Sequence, residues 1–260
     1  MPLAREIVPG LCSVTLRAET PETVLSVLAD GGGRAVEWGA DVHVPPGSEP
    51  LAERLGRQGR DAGIEVCSYG SYWKAGRSPV ADIDPVLDTA EALGADHVRI
   101  WCSSKVPLDA PNRERSVVAE ALATFARRAA ARCLGVSVEL HDRTLTETAA
   151  SPPGLLTEAG APNLATYWQP LLPMLDTAPD ELRAVLDRCS HLHVQQFDAE
   201  GARRPLDQGA VDWRGLLALA ASRPPAVVDR RAAFVEFVVD DARQGAVDAI
   251  RYLGELLAPG

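Results

Sequence analysis

Leu134-Gly135-Val136-Ser137-Val138-Glu139-Leu140-His141 is the stretch whose reading decides the fold. Successive side chains on a β-strand point to opposite faces. Val136, Val138 and Leu140 therefore share one face, and Ser137, Glu139 and His141 share the other. The glycine at position 135 closes a helical run rich in Ala, Arg and Glu, all good helix formers, that extends over 113–133. A helix leads into a strand with one apolar face and one ionisable face. The apolar face suits packing against helices, and the ionisable face is left to look toward a centre.

Outward from this stretch the same grammar repeats. The strand-like runs are 11–16, 34–38, 64–69, 97–101, 135–141, 163–168, 191–196 and 232–238. These eight runs recur on average about every 32 residues, the length of one β-loop-α-loop unit. Helical signals fall between them. Thr20 reads as an N-cap with Pro21 at the first helical position and Glu22 in the first turn. Val24, Leu25 and Leu28 then form an apolar face, as do Leu51 and Leu55 after Pro50, and Val86, Leu87, Ala90 and Leu93 after Pro85. Runs at 180–189, 212–221 and 241–257 each open on an acid, which suits a helix N-terminus. Gly63, Gly94 and Gly135 each stand where a helix should stop before a strand.

Strict alternation implies parallel strands joined by right-handed crossovers. Eight such units fit a closed barrel better than an open sheet. The first βα turn carries no Gly-x-Gly-x-x-Gly run; Gly31-Gly32-Gly33 precedes the second strand, the wrong side for phosphate binding. No stretch is rich enough in Pro, Gly and Ser to serve as an interdomain linker, so residues 1–260 read as one (β/α)8 TIM barrel domain.

The bulk numbers exclude several functions. A formal net charge of −10 argues against a nucleic-acid partner, whose binding relies on Lys and Arg displacing counterions. The basic runs at Arg127, Arg128 and Arg132, at Arg203 and Arg204, and at Arg230 and Arg231 lack interleaved aromatics and read as solvated helix or loop positions. No apolar run approaches the length of about 18 residues that a membrane span needs, and the first ten residues lack the apolar core of a signal peptide. Five dispersed cysteines without a Cys-x-x-Cys pair suggest reduced thiols and a cytoplasmic protein. A small molecule is the expected partner, and a homo-oligomer is compatible with the sequence.

Ionisable residues gather on the inward faces, late in their strands. Besides Glu139 and His141 they include Glu37 on the second strand, His97 and Arg99 on the fourth, His191 and His193 on the seventh, and Glu236 on the eighth. On the eighth, Ala233, Val235 and Phe237 should point outward; on the sixth, Tyr167 and Gln169 share a face opposite Leu164, Thr166 and Trp168. Barrel interiors are ordinarily filled by Val, Ile and Leu, and isolated buried charges cost several kcal/mol each. Any one of these residues alone reads as a structural hydrogen-bonder, and His97 and His191 read as satisfied core histidines. Convergence of two glutamates, a histidine and an amide calls for a cation, a substrate or mutual pairing. That donor set suits Mg2+, Mn2+ or Zn2+.

The segments Ala35-Val36-Glu37-Trp38-Gly39, Leu93 to Arg99, Val138 to His141, His191-Leu192-His193-Val194, Gly209 to Trp213 and Phe234 to Phe237, in this order and spacing, resemble the sugar phosphate isomerase/epimerase group, the xylose-isomerase-like barrels. In proteins of that group a divalent metal is usually held by Glu, Asp, His and Glu on strands five to eight. The resemblance lays these roles on Glu139, Gln169, His193 and Glu236. Gln169 departs from the usual Asp, and the lost negative charge is expected to weaken affinity for a hard cation. The resemblance further implies Glu139 and Glu236 as the catalytic pair that moves a proton through an enediolate, with Glu37, Lys74, Arg99, Trp101 and His141 facing the substrate. The expected activity is a metal-dependent sugar or polyol isomerase or epimerase. A lyase or dehydratase using the same residues, or a sugar-binding barrel without catalysis, are the alternatives; five histidines and an acidic surface speak against the multi-zinc DNA-repair endonucleases of this fold.

Overall fold

The computed structural model describes residues 7–103, 112–148, 151–225 and 227–258. Eight parallel strands close into a barrel in sequence order: β1 (Ile7–Cys12), β2 (Ala35–Gly39), β3 (Glu65–Ala75), β4 (His97–Cys102), β5 (Gly135–Glu139), β6 (Leu164–Trp168), β7 (Cys189–Val194) and β8 (Arg231–Val235). β1 closes on β8 through a register running from Ile7↔Arg231 to Leu11↔Val235. Each strand is followed by a helix: α1 (Pro21–Asp30), α2 (Glu49–Asp61), α3 (Ile83–Leu93), α4 (Asn112–Ala130), α5 (Ser151–Ala159), α6 (Ala178–Val185), α7 (Trp213–Ala221) and α8 (Arg243–Leu257).

Local signals account for most boundaries. The Thr20 hydroxyl accepts the Thr23 N–H at 3.2 Å, and Asp212 Oδ1 accepts the Gly215 N–H at 3.1 Å, capping α1 and α7. Gly63 and Gly94 take the left-handed conformation that stops α2 and α3, with φ of 71° and 72°. The end of α4 differs from expectation: Cys133, not Gly135, adopts the left-handed conformation, with φ of 59°. The sequence also hides α5, because its first turn carries Pro152, Pro153 and Gly154; proline is tolerated at a helix start, but the three together read as a loop. β1 begins four residues earlier than expected and Ser13–Leu16 forms a 3-10 turn instead. Pro9, which argues against a strand, masks its true start.

Two apolar groupings follow from strand alternation. Val136, Val138, Leu140, Leu192, Val194, Ala233 and Val235 pack with helix residues such as Leu28, Phe125, Leu217 and Ile250 in the layer between barrel and helices. A smaller cluster of Val8, Cys12, Val14, Ala35, Cys67, Tyr167, Ala232 and Phe234 comes from the opposite strand faces. Phe237 packs against this inner cluster, which corrects the outward orientation expected for it. β8 ends at Val235, and Phe237 has a φ of 58°, so the two-residue period no longer governs its direction. Arg231 is a second correction: it is buried in β8 rather than solvated, and donates to the carbonyls of Ala220 and Cys189 at 2.7 and 3.0 Å.

The lower lumen is polar but uncharged. His97 Nε2 lies 2.6 Å from Ser137 Oγ, which lies 2.6 Å from Ser190 Oγ. His191 Nδ1 accepts the Ala232 N–H at 2.9 Å. His97 Nδ1 and His191 Nε2 have no hydrogen-bond partner among the described residues, so neither histidine is fully satisfied. Burial lowers His97 to about 3, and burial followed by the neighbouring His97 holds His191 well below the ordinary imidazole range. Below about pH 6.5 the unfolded chain therefore binds protons that the folded chain excludes, and stability falls as pH drops. Urea titrations should show His97→Gln losing about 2 kcal/mol less than the wild type between about pH 6.5 and pH 4.5; equal losses would remove His97 as a cause.

Candidate active site

The C-terminal ends of the strands carry the charged layer. The Arg99 guanidinium is 2% exposed and lies between two carboxylates. Its Nε donates to Glu37 Oε1 at 3.0 Å, and its terminal nitrogen bonds Glu139 Oε2. Gly70 on β3 makes room for this arrangement, since a Cβ there would stand 2.6 Å from an Arg99 nitrogen and 2.9 Å from Glu37 Oε1. Glu37 also accepts from Ser68 Oγ at 2.8 Å and Cys12 Sγ at 3.3 Å. Cys12 is the direct partner of Glu37 in the β1–β2 ladder, whereas the Ser68 contact is not foreseeable from a two-residue period. The ladder between β2 and β3 slips at Val36/Glu37, so that Glu37 pairs with Ser68 and Cys67 is passed over.

His193 joins the layer from β7. Its Nε2 lies 3.2 Å from Glu37 Oε1, and its Nδ1 lies 3.4 Å from both Glu139 Oε1 and Glu236 Oε2. All four residues are buried. Burial pushes the Glu37 carboxyl up, but Arg99 and His193 outweigh it and hold it well below the usual range. The same balance, with burial opposed chiefly by Arg99, brings Glu139 to about 2. Glu236 goes the other way, raised by burial despite His193, with Glu139 adding repulsion. His193 is held well above its ordinary value, burial being outweighed by Glu236 and Glu37. Burial, and then Glu37, pushes the Cys12 thiol up to about 12.

Gln169 follows β6. Its amide nitrogen donates to Glu139 Oε1 at 3.0 Å and to the Leu140 carbonyl at 2.8 Å, while its oxygen accepts from Gln195 Nε2 at 2.7 Å. A carbonyl only accepts, so the contact with Leu140 fixes which way the amide faces. Glu37, Arg99, Glu139, Gln169, His193 and Glu236 thus form one connected network. A cavity of about 420 Å3 opens over it, reached by Arg99, Glu139, Gln169 and Glu236 and walled by Trp101 and His141. Their rings lie against each other with centroids 4.5 Å apart and planes tilted by 31°. Lys74 stands 4.9 Å over the Trp101 ring and is not among the residues lining that cavity.

The donor set fits a divalent ion. His193 Nδ1 is buried without a hydrogen-bond partner among the described residues, and it forms with Glu139 and Glu236 a group whose ligand atoms lie within 4.8 Å of one another. Ligands held about 2.0–2.2 Å from one ion stand roughly 3–3.5 Å apart, close to the separations seen here. Among the described residues, the three buried carboxylates share the Arg99 guanidinium and the His193 imidazole, and an ion in place of the imidazole proton would supply the positive charge they need. Arg99→Met should destabilise the fold by about 3–5 kcal/mol, the loss expected when carboxylates stay buried without their partner. Chemical denaturation measures this, and a change below about 1 kcal/mol would show that the pair is not structural.

Residues 25–256 match the family model described as xylose isomerase-like TIM barrel. A search of the curated proteins finds no match to this sequence. Among solved structures, the probable 3-DHS dehydratase AsbF involved in petrobactin synthesis from Bacillus anthracis superposes with a TM-score of 0.81 at 17% identity, covering 95% of this chain and 99% of that one. The D-allulose 3-epimerase from Methylomonas sp. in complex with D-allulose gives 0.73 at 17%, with 96% of each chain covered. A xylose isomerase-like TIM barrel protein from Mycobacterium smegmatis in complex with magnesium gives 0.69 at 15%, covering 99% and 98%. At these identities the structures show a common fold. The match over nearly the whole barrel shows that this chain belongs to the xylose isomerase-like TIM barrel family.

Proposed function

We propose that the protein is a metal-assisted enzyme that moves a proton at the carbon next to a carbonyl in a small sugar or polyol. One observation carries this reading: Glu139 and Glu236, from strands on opposite sides of β7, each bring an oxygen within 3.4 Å of His193 Nδ1 where the cavity opens. Glu139, His193 and Glu236 would hold the ion. When bound, a divalent ion polarises a carbonyl oxygen and stabilises the negative charge that develops on it.

This chain's own residues supply the remainder. One of the two glutamates takes the α-proton as the enediolate forms, and the other returns a proton to the neighbouring carbon or the opposite face. Arg99 fixes Glu139 from one side and Gln169 from the other, so that this carboxylate is oriented before substrate arrives. Gln169 joins the ion's ligands only by releasing Leu140 and turning its oxygen inward; as placed, it aligns Glu139. His141 and Trp101 line the cavity beside the substrate, and Glu37 acts through Arg99 and His193. The fold shared with a D-allulose epimerase and with a dehydratase supports chemistry of this kind. Loss of a β-hydroxyl after proton removal would make the same site a lyase.

Solvent-proton exchange in deuterated buffer, followed by NMR over a panel of ketoses and inososes with Mn2+ present, tests the reading. Glu236→Gln should lower exchange at least about 100-fold while leaving the fold intact. Exchange unaffected by that change, or absent across the panel, would defeat it in favour of a binding barrel. Gln169→Asp restores a carboxylate beside the other ligands and should tighten Mn2+ about tenfold by calorimetry. An unchanged affinity would place position 169 outside the ion's reach.

A further inference from the structure

Phe237 follows Glu236 directly and has a φ of 58°, a left-handed backbone that bulky side chains seldom adopt. Such strain persists only where the surroundings hold it, and it gathers at functional sites. Here a buried hydroxyl braces it. Thr15 Oγ1 donates to the Val235 carbonyl at 3.2 Å and accepts the Phe237 N–H at 3.1 Å, bridging both sides of Glu236. From the other side Arg203 lies 4.5 Å over the Phe237 ring and pairs with Asp241 at 2.9 Å.

The turn moves the ring. A regular strand would send Phe237 the same way as Val235, into the helix layer; instead it lines the cavity and packs against the inner cluster. There it joins Val14, Tyr72, Leu171, Leu172 and Phe197, contributed by segments beyond or late in the strands. The cavity is therefore polar where the carboxylates reach it and mainly apolar along the wall that these residues form. A substrate hydroxyl against the hydrocarbon of Val14, Leu171, Leu172, Phe197 and Phe237 would lose its water without gaining a partner, whereas a ring face or hydrocarbon would be buried favourably. A phosphate tail would find no free guanidinium in Arg99, which Glu37 and Glu139 already bind, and would meet the Asp142 carboxylate and hydrocarbon beside the neutral donors Tyr72 and Gln195 and the His141 ring.

We propose that Phe237 is a specificity-determining residue, and that the site takes an unphosphorylated α-hydroxy carbonyl compound whose far end presents a ring or hydrocarbon face. This rests on the reading that Glu139 and Glu236 act at the α-carbon, and it narrows the substrate class. Three probes share the same hydroxyketone head and differ in the tail: hydroxyacetone, 2-hydroxyacetophenone and dihydroxyacetone phosphate. Titrated into the full chain with Mn2+ present, 2-hydroxyacetophenone should bind at least about tenfold more tightly than either of the others. Phe237→Gly, which suits the left-handed position and removes the ring, should reduce that preference below about threefold without lowering the melting temperature. Phe237→Leu should keep most of it.

Tightest binding of dihydroxyacetone phosphate by the wild type would overturn the proposal whether or not the variants fold. So would a tenfold ring preference that survives in a folded Phe237→Gly protein. Exchange measurements separate this proposal from the one beneath it. A ring preference that depends on Phe237 without α-proton exchange keeps the pocket assignment and defeats the proton-transfer reading. Exchange without ring preference does the reverse.

Discussion

A guanidinium buried between two carboxylates is the constraint around which the upper barrel is arranged. Glu37, Glu139 and Glu236 all lie in the lumen end, where an uncompensated charge would cost several kcal/mol. Arginine answers this better than lysine because its planar fork reaches two acceptors at once and stays charged. Several neighbouring choices then follow. Position 70 has to be a glycine so that β3 clears the fork. Ser68 is brought to Glu37 by the ladder slip between β2 and β3. Gln169 donates to Oε1 of Glu139, the oxygen that Arg99 does not bond.

The same barrel handles histidine in two opposite ways. His97 and His191 sit among serines and aromatic rings, where burial dominates and the imidazoles stay neutral. His193, two residues beyond His191 on the same face of β7, meets three carboxylates, and their field outweighs an equal burial. One step along one strand separates a structural imidazole from one poised to carry charge or a ligand. The lumen is thus divided into a neutral lower end that helps to close the barrel and a charged upper end that can do chemistry.

Much of this could be read in advance, for physical reasons that differ by residue. Alternation in β5 and β7 placed Glu139, His141 and His193 on the inner face because a strand's two-residue period is rigid while the ladder is regular. It failed where the backbone departs from that period. Ser68 was missed because a slipped register leaves no local mark in composition. Phe237 was assigned outward because nothing in Phe-Val-Glu-Phe signals a left-handed turn; that conformation is imposed by Thr15, distant in sequence. α5 was hidden by two prolines that a helix start accepts. Gln169 was recognised as the departure from its family's pattern, but the direction of its amide depends on Leu140 and Gln195, which only the folded chain brings near.

Closure of β1 on β8 has a consequence for how the molecule comes into being. The hydroxyl that braces the turn after Glu236 belongs to a residue made 222 positions earlier. While the chain leaves the ribosome, β1 can meet β2 at once, yet it has no second neighbour and Thr15 has no carbonyl to bond until the last strand emerges. Contacts this distant in sequence form slowly. A partly synthesised barrel would hold its charged inner face against water, and only the arrival of the final βα unit converts that wet groove into a dry pocket.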